Sequence, residues 1–172
     1  MSAIHQSPPP RLELKGVDFF THYGLSIFLL IPSAVLVFGL LTDHGNPSGL
    51  SGMLIVCAIT LPAAGLWAWW QRRLLRFQRF ATSSDASANY RKVMDAIHKA
   101  QWHVQIHNLD SRIVAAVPGT ITMGDRVEVR FHTTDVLVNS ICDPKKAWRV
   151  TGFGFWENAD NIRYIRRAVA DI

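Results

Sequence analysis

The chain has 172 residues, a net charge of +5 and 49% hydrophobic residues. That length leaves room for one small folded domain beside any membrane segment. The charge is unevenly placed, which removes the usual ground for reading a basic chain as a nucleic-acid binder.

Residues 1–18 form an arm that opens on a proline tract, Pro8 to Pro10, and balances Arg11 and Lys15 against Glu13 and Asp18. It is expected to be a disordered or interfacial N-terminal arm. The tract takes the place of a basic leader, and the apolar run after it is too long for a signal peptide.

Residues 19–71 hold two apolar runs without Asp, Glu, Lys or Arg, interrupted only by Asp43. A helix needs about 20 apolar residues to cross the hydrocarbon core. The runs are continuous rather than alternating, so they predict transmembrane helices at about residues 23–41 and 50–70. Pro32 and Pro62 are read as kinks, which a bilayer helix tolerates. Gly49, Gly52, Ala58, Ala63, Ala64 and Gly65 are read as small residues that let two helix backbones approach. The joining stretch, Asp43 to Ser48, is made of turn formers and contains no Lys or Arg. A loop this short predicts an antiparallel helical hairpin.

Residues 72–84 form the next segment, with Arg72, Arg73, Arg76 and Arg79. Basic residues stay on the cytoplasmic side, so both termini are expected there, in a multi-pass protein of the inner (plasma) membrane. Trp67, Trp69 and Trp70 fit an aromatic belt at the inner leaflet. Together with the four arginines they are the candidate contacts to the membrane interface and its anionic lipids. Helical spacing puts Arg72, Arg76 and Arg79 on one face of a basic juxtamembrane helix or linker.

Residues 85–172 carry 12 basic and 10 acidic residues. A helix is predicted over 86–101, capped by Asp85 or Ser87. Four short β-like runs follow, from Val104, Arg112, Val127 and Val136. Val127, Val129 and Phe131 alternate with Glu128, Arg130 and His132, as in a half-buried strand. Residues 148–155 are read as a further edge strand or a loop. A last helix is expected to place Ile162, Ile165, Val169 and Ile172 inward. The order α-β-β-β-β-α predicts an α+β cytoplasmic domain of two layers with an antiparallel sheet.

The strand Val136 to Ser140, followed by Gly154-Phe-Trp-Glu-Asn158-Ala-Asp-Asn161-Ile162-Arg163, resembles the C-terminal part of small bacterial domains of unknown function. The basic Ser-Arg element of that pattern is missing here. The resemblance implies a fold and no activity.

Chemistry-bearing patterns are sparse. His103 and His107, four apart on a strand, would share a face about 13 Å apart, too far for one ion. Cys57 and Cys142 have no neighbouring cysteine for a metal or redox motif and are not expected to pair. Ser140 lacks a nucleophile elbow, and Glu128 and Glu157 are read as isolated, solvent-facing carboxylates. No catalytic, metal or cofactor residue is expected. Lys145, Lys146, Arg149, Arg163 and Arg167 are the candidate contacts for a protein partner or a phosphate. The reading is a membrane-anchored, non-catalytic accessory module that binds a partner protein or membrane complex. The alternatives are an enzyme or binder acting on lipid headgroups or lipid-linked substrates, and a small homo-oligomeric channel or immunity-type membrane protein.

Overall fold

The computed structural model describes residues 10–14, 16–42, 47–109, 111–118, 124–143 and 155–170. The chain divides into two compact units. One, Lys15–Arg73, holds helices α1 (Val17–Thr42) and α2 (Pro47–Leu74). The other begins at Leu74 and also takes in the N-terminal segment up to Leu14. It contains β1 (Gln78–Ala81), α3 (Ala86–Lys99), β2 (His103–Asn108), β3 (Arg112–Val117), β4 (Asp125–Phe131), β5 (Asp135–Cys142) and α4 (Phe155–Val169).

In the helical unit, Pro32 and Pro62 both lie inside their helices. Polar side chains join the two helices. Thr60 Oγ1 donates to the Val56 carbonyl at 2.9 Å, which leaves its lone pairs for the Ser33 hydroxyl at 2.5 Å. Nearer the start of α1 and the end of α2, Ser26 donates to Gln71 Oε1 at 2.9 Å, and Gln71 Nε2 donates to the His22 carbonyl. Away from water such bonds stabilise helix pairs because the alternative is an unpaired polar group. Two of the small residues, Gly52 and Gly65, differ from expectation. A Cβ added at Gly52 or Gly65 would meet nothing within 4 Å, so no close backbone approach requires these glycines; Ala64, by contrast, is buried.

The second unit is an α+β fold around one five-stranded antiparallel sheet, ordered β1-β5-β4-β3-β2. Strands β2 to β5 run as a meander, and β1 joins at the edge beside β5. Helix α3 starts where expected, with the Asp85 side chain accepting from the Ala88 N–H at 2.7 Å. Its Val93 and Ile97 meet Ile165 and Val169 of α4 over Ile113, Val127, Val129 and Val138. This is the apolar core, on one face of the sheet.

Three features differ from the sequence-based expectation. The basic segment is not a helix through Phe80: α2 ends at Leu74, and the chain becomes a fifth strand that sequence reading misses. Asn139 explains the break, because its Nδ2 donates to the carbonyls of Leu74 and Arg76 at 2.7 and 2.9 Å, bonds that compete with helix continuation. The N-terminal arm is ordered at residues 10–14. Leu12 N–H donates to the Leu75 carbonyl at 2.8 Å, and Phe77 N–H donates to the Pro10 carbonyl at 3.2 Å. Leu12, Leu75 and Phe77 are buried. Finally, a bulge between Val104 and Ile106 shifts the register of β2. It sends His103 and His107 to opposite faces, since their partners are Ala116 and Ile113.

Candidate functional site

The face of the sheet away from the helices carries a cluster of charged side chains. Side chains alternate along a strand, so Val127 and Val129 point to the helices while Arg126, Glu128 and Arg130 point to the other side. Directly paired residues share a face, and the register runs from Arg79 to Leu137, Arg130, Arg112 and Asn108 across all five strands. The three arginines in that row span about 14 Å at ordinary strand spacing.

Glu128 is the centre of this face. Sequence reading turns it to solvent, but it is only 1% exposed. Arg112 Nη2 donates to its Oε2 at 3.0 Å, and Arg130 Nε and Nη2 both reach Oε1 at 2.9 Å. Arg126 Nη2 lies 3.5 Å from Oε2. A buried carboxylate without such partners is costly. The Arg112 and Arg130 side chains are 39% and 32% exposed, so both guanidinium groups reach the surface. Arg130 also stacks over the Phe77 ring at 4.6 Å, which fixes its plane. The segment over this face is the one held by Asn139.

A second polar cluster lies at the far end of β4 and β5, against α4. Ser140 donates to Asn158 Oδ1 at 2.8 Å, and Asn161 Nδ2 donates to Asp125 Oδ2 at 2.8 Å. These residues include those that carry the C-terminal resemblance, and here they fasten α4 to the sheet. Burial pushes the Asp125 carboxyl up to about 6, with the Asn161 hydrogen bond pulling the other way. Burial also pushes the Cys142 thiol up to about 11, with the Asp125 charge adding to it. A thiol held so high is not a ready nucleophile. The cluster therefore reads as a clamp rather than a catalytic centre.

The other candidates are scattered. Trp67 and Trp70 lie with ring centroids 5.0 Å apart, and Arg73 stacks over Trp69 at 4.9 Å, all at the end of α2. Arg72 is exposed there too. Arg76 and Arg79 belong to the other unit, where Arg79 pairs with Asp135 at 3.5 Å. Lys145, Lys146 and Arg149 lie outside the described residues. Arg163 is exposed and pairs with Asp160. Arg167 lines an open groove of about 450 Å³ between α3 and α4, with Lys92, Asp95, Lys99 and Tyr164. Among the described residues, no three His, Cys, Asp or Glu side chains are placed to hold a metal ion.

Sequence reading misses the Arg112–Arg126–Glu128–Arg130 cluster. The usable signal is in β3 and β5, whose near-continuous apolar runs mark a sheet buried on both faces. No family model, no curated protein and no solved structure matches this chain.

Proposed function

We propose that this chain is a membrane-anchored, non-catalytic binding module. In this reading α1 and α2 cross the inner membrane as a hairpin, and the α+β unit works on the cytoplasmic side as an adaptor or accessory subunit for a protein partner. The observation that carries it is the surface of the two helices. Their most apolar stretches, Asp18–Gly39 and Leu54–Leu74, have mean hydropathies of 1.8 and 1.4, yet only 17% and 11% of these are buried. Phe20, Phe28, Val35, Phe38, Ile59 and Leu66 are each more than 60% exposed. A core helix of a water-soluble fold buries such residues; a lipid-facing one does not.

The pairing of residues 10–12 with 75–77 supports an even number of crossings. The stretch before α1 and the stretch after α2 hydrogen-bond to each other, which supports the reading that both flanks share one side of the membrane. The arginines after α2 favour the cytoplasm for that side. For the partner, the α3/α4 groove supplies Lys92, Lys99 and Arg167 against a single Asp95, a surface suited to an acidic segment.

Native mass spectrometry of the full chain, extracted gently from its own membrane, tests this function. The expected result is a stable complex with a second protein that is lost on Arg167→Glu. Recovery of the chain alone, with or without that substitution, contradicts the adaptor role.

A further inference from the structure

We propose that the open edge of β1, beside α4, binds an extended segment of a partner protein by adding it to the sheet as a further strand, with an acidic side chain of that segment on Arg166. The proposal rests on the reading of the α+β unit as a protein-binding module. It names a second contact, apart from the α3/α4 groove.

The backbone phase defines the edge. Neighbouring residues of a strand turn their N–H and C=O groups to opposite sides. Toward β5, Thr82 N–H donates to the Thr134 carbonyl at 2.9 Å, and the Arg76 carbonyl accepts from Asn139 at 2.9 Å. The backbones of Arg76, Gln78, Phe80 and Thr82 therefore face β5, and those of the residues between them face outward. Of the outward groups, the Leu75 carbonyl and the Phe77 N–H are taken by Leu12 and Pro10. Arg79 and Ala81 come next on the same edge, and β1 is the outermost strand. Among the described residues, nothing pairs with their outward groups.

An open strand edge is a template for another chain. The antiparallel bridge between Arg11 and Arg76 shows that this edge accepts an extended segment. Pro8 and Pro9, which precede that bridge in the chain, have no N–H to donate to a longer ladder.

The groove beside the edge sets the chemistry of the ligand. It has a volume of about 620 Å³ and is walled by β1 and by Arg166, Val169 and Ala170 of α4, with no carboxylate among these lining residues. Arg79 lies 3.5 Å from Asp135. Arg166 is exposed and stacks over the Phe80 ring at 5.5 Å, and no ion pair holds it among the described residues. Phe80 packs on the helix side of the sheet, so a residue paired opposite it points to that same side, toward Arg166. Side chains two apart share a face. An acid at one such position and an apolar residue at the next match Arg166 and the wall of Phe80 and Ala170. Backbone bonds give the pairing, and the alternation gives selectivity.

The test uses the full chain in detergent micelles with a blocked synthetic peptide, Thr-Val-Thr-Glu-Thr, and its counterpart Thr-Val-Thr-Lys-Thr. Hydrogen exchange is read at the Arg79 and Ala81 amides. Both are expected to exchange fast in the free chain and to slow, saturably, with the glutamate peptide. The lysine peptide is expected to bind roughly fivefold more weakly. Ala81→Pro removes an outward N–H and no bond to β5, and is expected to weaken binding roughly fivefold. Arg166→Glu is expected to reverse the order of the two peptides. The two peptides on the wild-type chain decide the matter if either variant fails to fold. Slow exchange at both amides before peptide is added overturns the proposal, because the chain itself or a second copy then covers the edge. Equal binding of the two peptides, slowing at β2 instead of β1, or no slowing at all overturns it too. Each of these results leaves the adaptor reading to its own test, the loss of a partner on Arg167→Glu.

Discussion

The two faces of the sheet are made by alternate residues of the same strands, yet they are held by different physics. On the helix side, Val127, Val129, Ile113 and Val138 bury hydrocarbon against Val93, Ile97 and Ile165. On the other side, Glu128 and Asn139 are each about as buried as those valines, at 1% exposure, but are held by directed bonds. The first face is secured by area removed from water, which tolerates small shifts. The second also buries Val114, Leu137 and Ile141, but it adds a dependence on geometry, because a buried carboxylate or amide without its partners is costly. Burial alone therefore does not say which face fastens the domain core and which fastens the chain leading to the helices.

Substitutions that strike one face or the other sharpen this contrast. The largest effect is expected from Ile165→Ala, which opens a cavity in the apolar core and should cost about 3–4 kcal/mol in thermal or denaturant unfolding. Glu128→Ala should cost about 2–3 kcal/mol, less than a fully buried pair because the arginines retain contact with water. Its signature should differ from that of Ile165→Ala: added phosphate should recover part of the loss in the Glu128 variant and none in the other.

Asp125→Asn should act in the opposite direction. The Asp125 carboxyl holds its proton up to about 6 in the folded chain, whereas the unfolded chain releases it near pH ~4. Between those values the folded state binds more protons, so stability falls as pH rises through the window and stays lowered above it. The substitution should flatten that slope and leave the variant about 2 kcal/mol more stable at neutral pH, with no advantage below pH ~4. Unfolding curves measured across this range check both the sign and the window.

Asn139→Ala should remove the two bonds to the Leu74 and Arg76 carbonyls and cost about 1–2 kcal/mol. Hydrogen exchange should rise at residues 74–77 and leave the β4 amides protected. The smallest effect belongs to Arg163→Ala, whose partner Asp160 is 66% exposed. A few tenths of a kcal/mol is the expected change.

Much of this architecture is legible in the residues. The two apolar runs locate α1 and α2, although α1 starts six residues before the expected position, because uncharged apolar stretches of that length are rare outside membrane-length helices. The helix after Asp85 and the four strands of the meander follow from capping chemistry and from turn residues. The missed elements share a cause. Strand β1, Gln78–Ala81, follows Leu74–Phe77, and local spacing there favours a helix. Contacts with residues more than 60 positions away, above all Asn139, decide otherwise. Glu128 is misplaced for a similar reason. A period of two in β4 marks which residues lie on opposite faces, but it does not say that both faces are covered. That information sits in β3 and β5, where Ile113 to Ala116 and Val136 to Cys142 are buried without a break. The candidate site is correspondingly harder to see: Arg112, Arg126 and Arg130 sit on two strands and meet only through the register.

The central claim is a hairpin that crosses the membrane twice and leaves the α+β unit in the cytoplasm. It is tested most directly by labelling single cysteines with a membrane-impermeant maleimide. The full chain carries Cys57→Ser and Cys142→Ser, with either Asn46→Cys between the helices or Ser83→Cys beyond β1. In intact cells the expected result is labelling at position 46 and none at 83 until the membrane is permeabilised. Labelling of both positions from the same side would contradict the double crossing, and the reverse pattern would contradict the cytoplasmic placement.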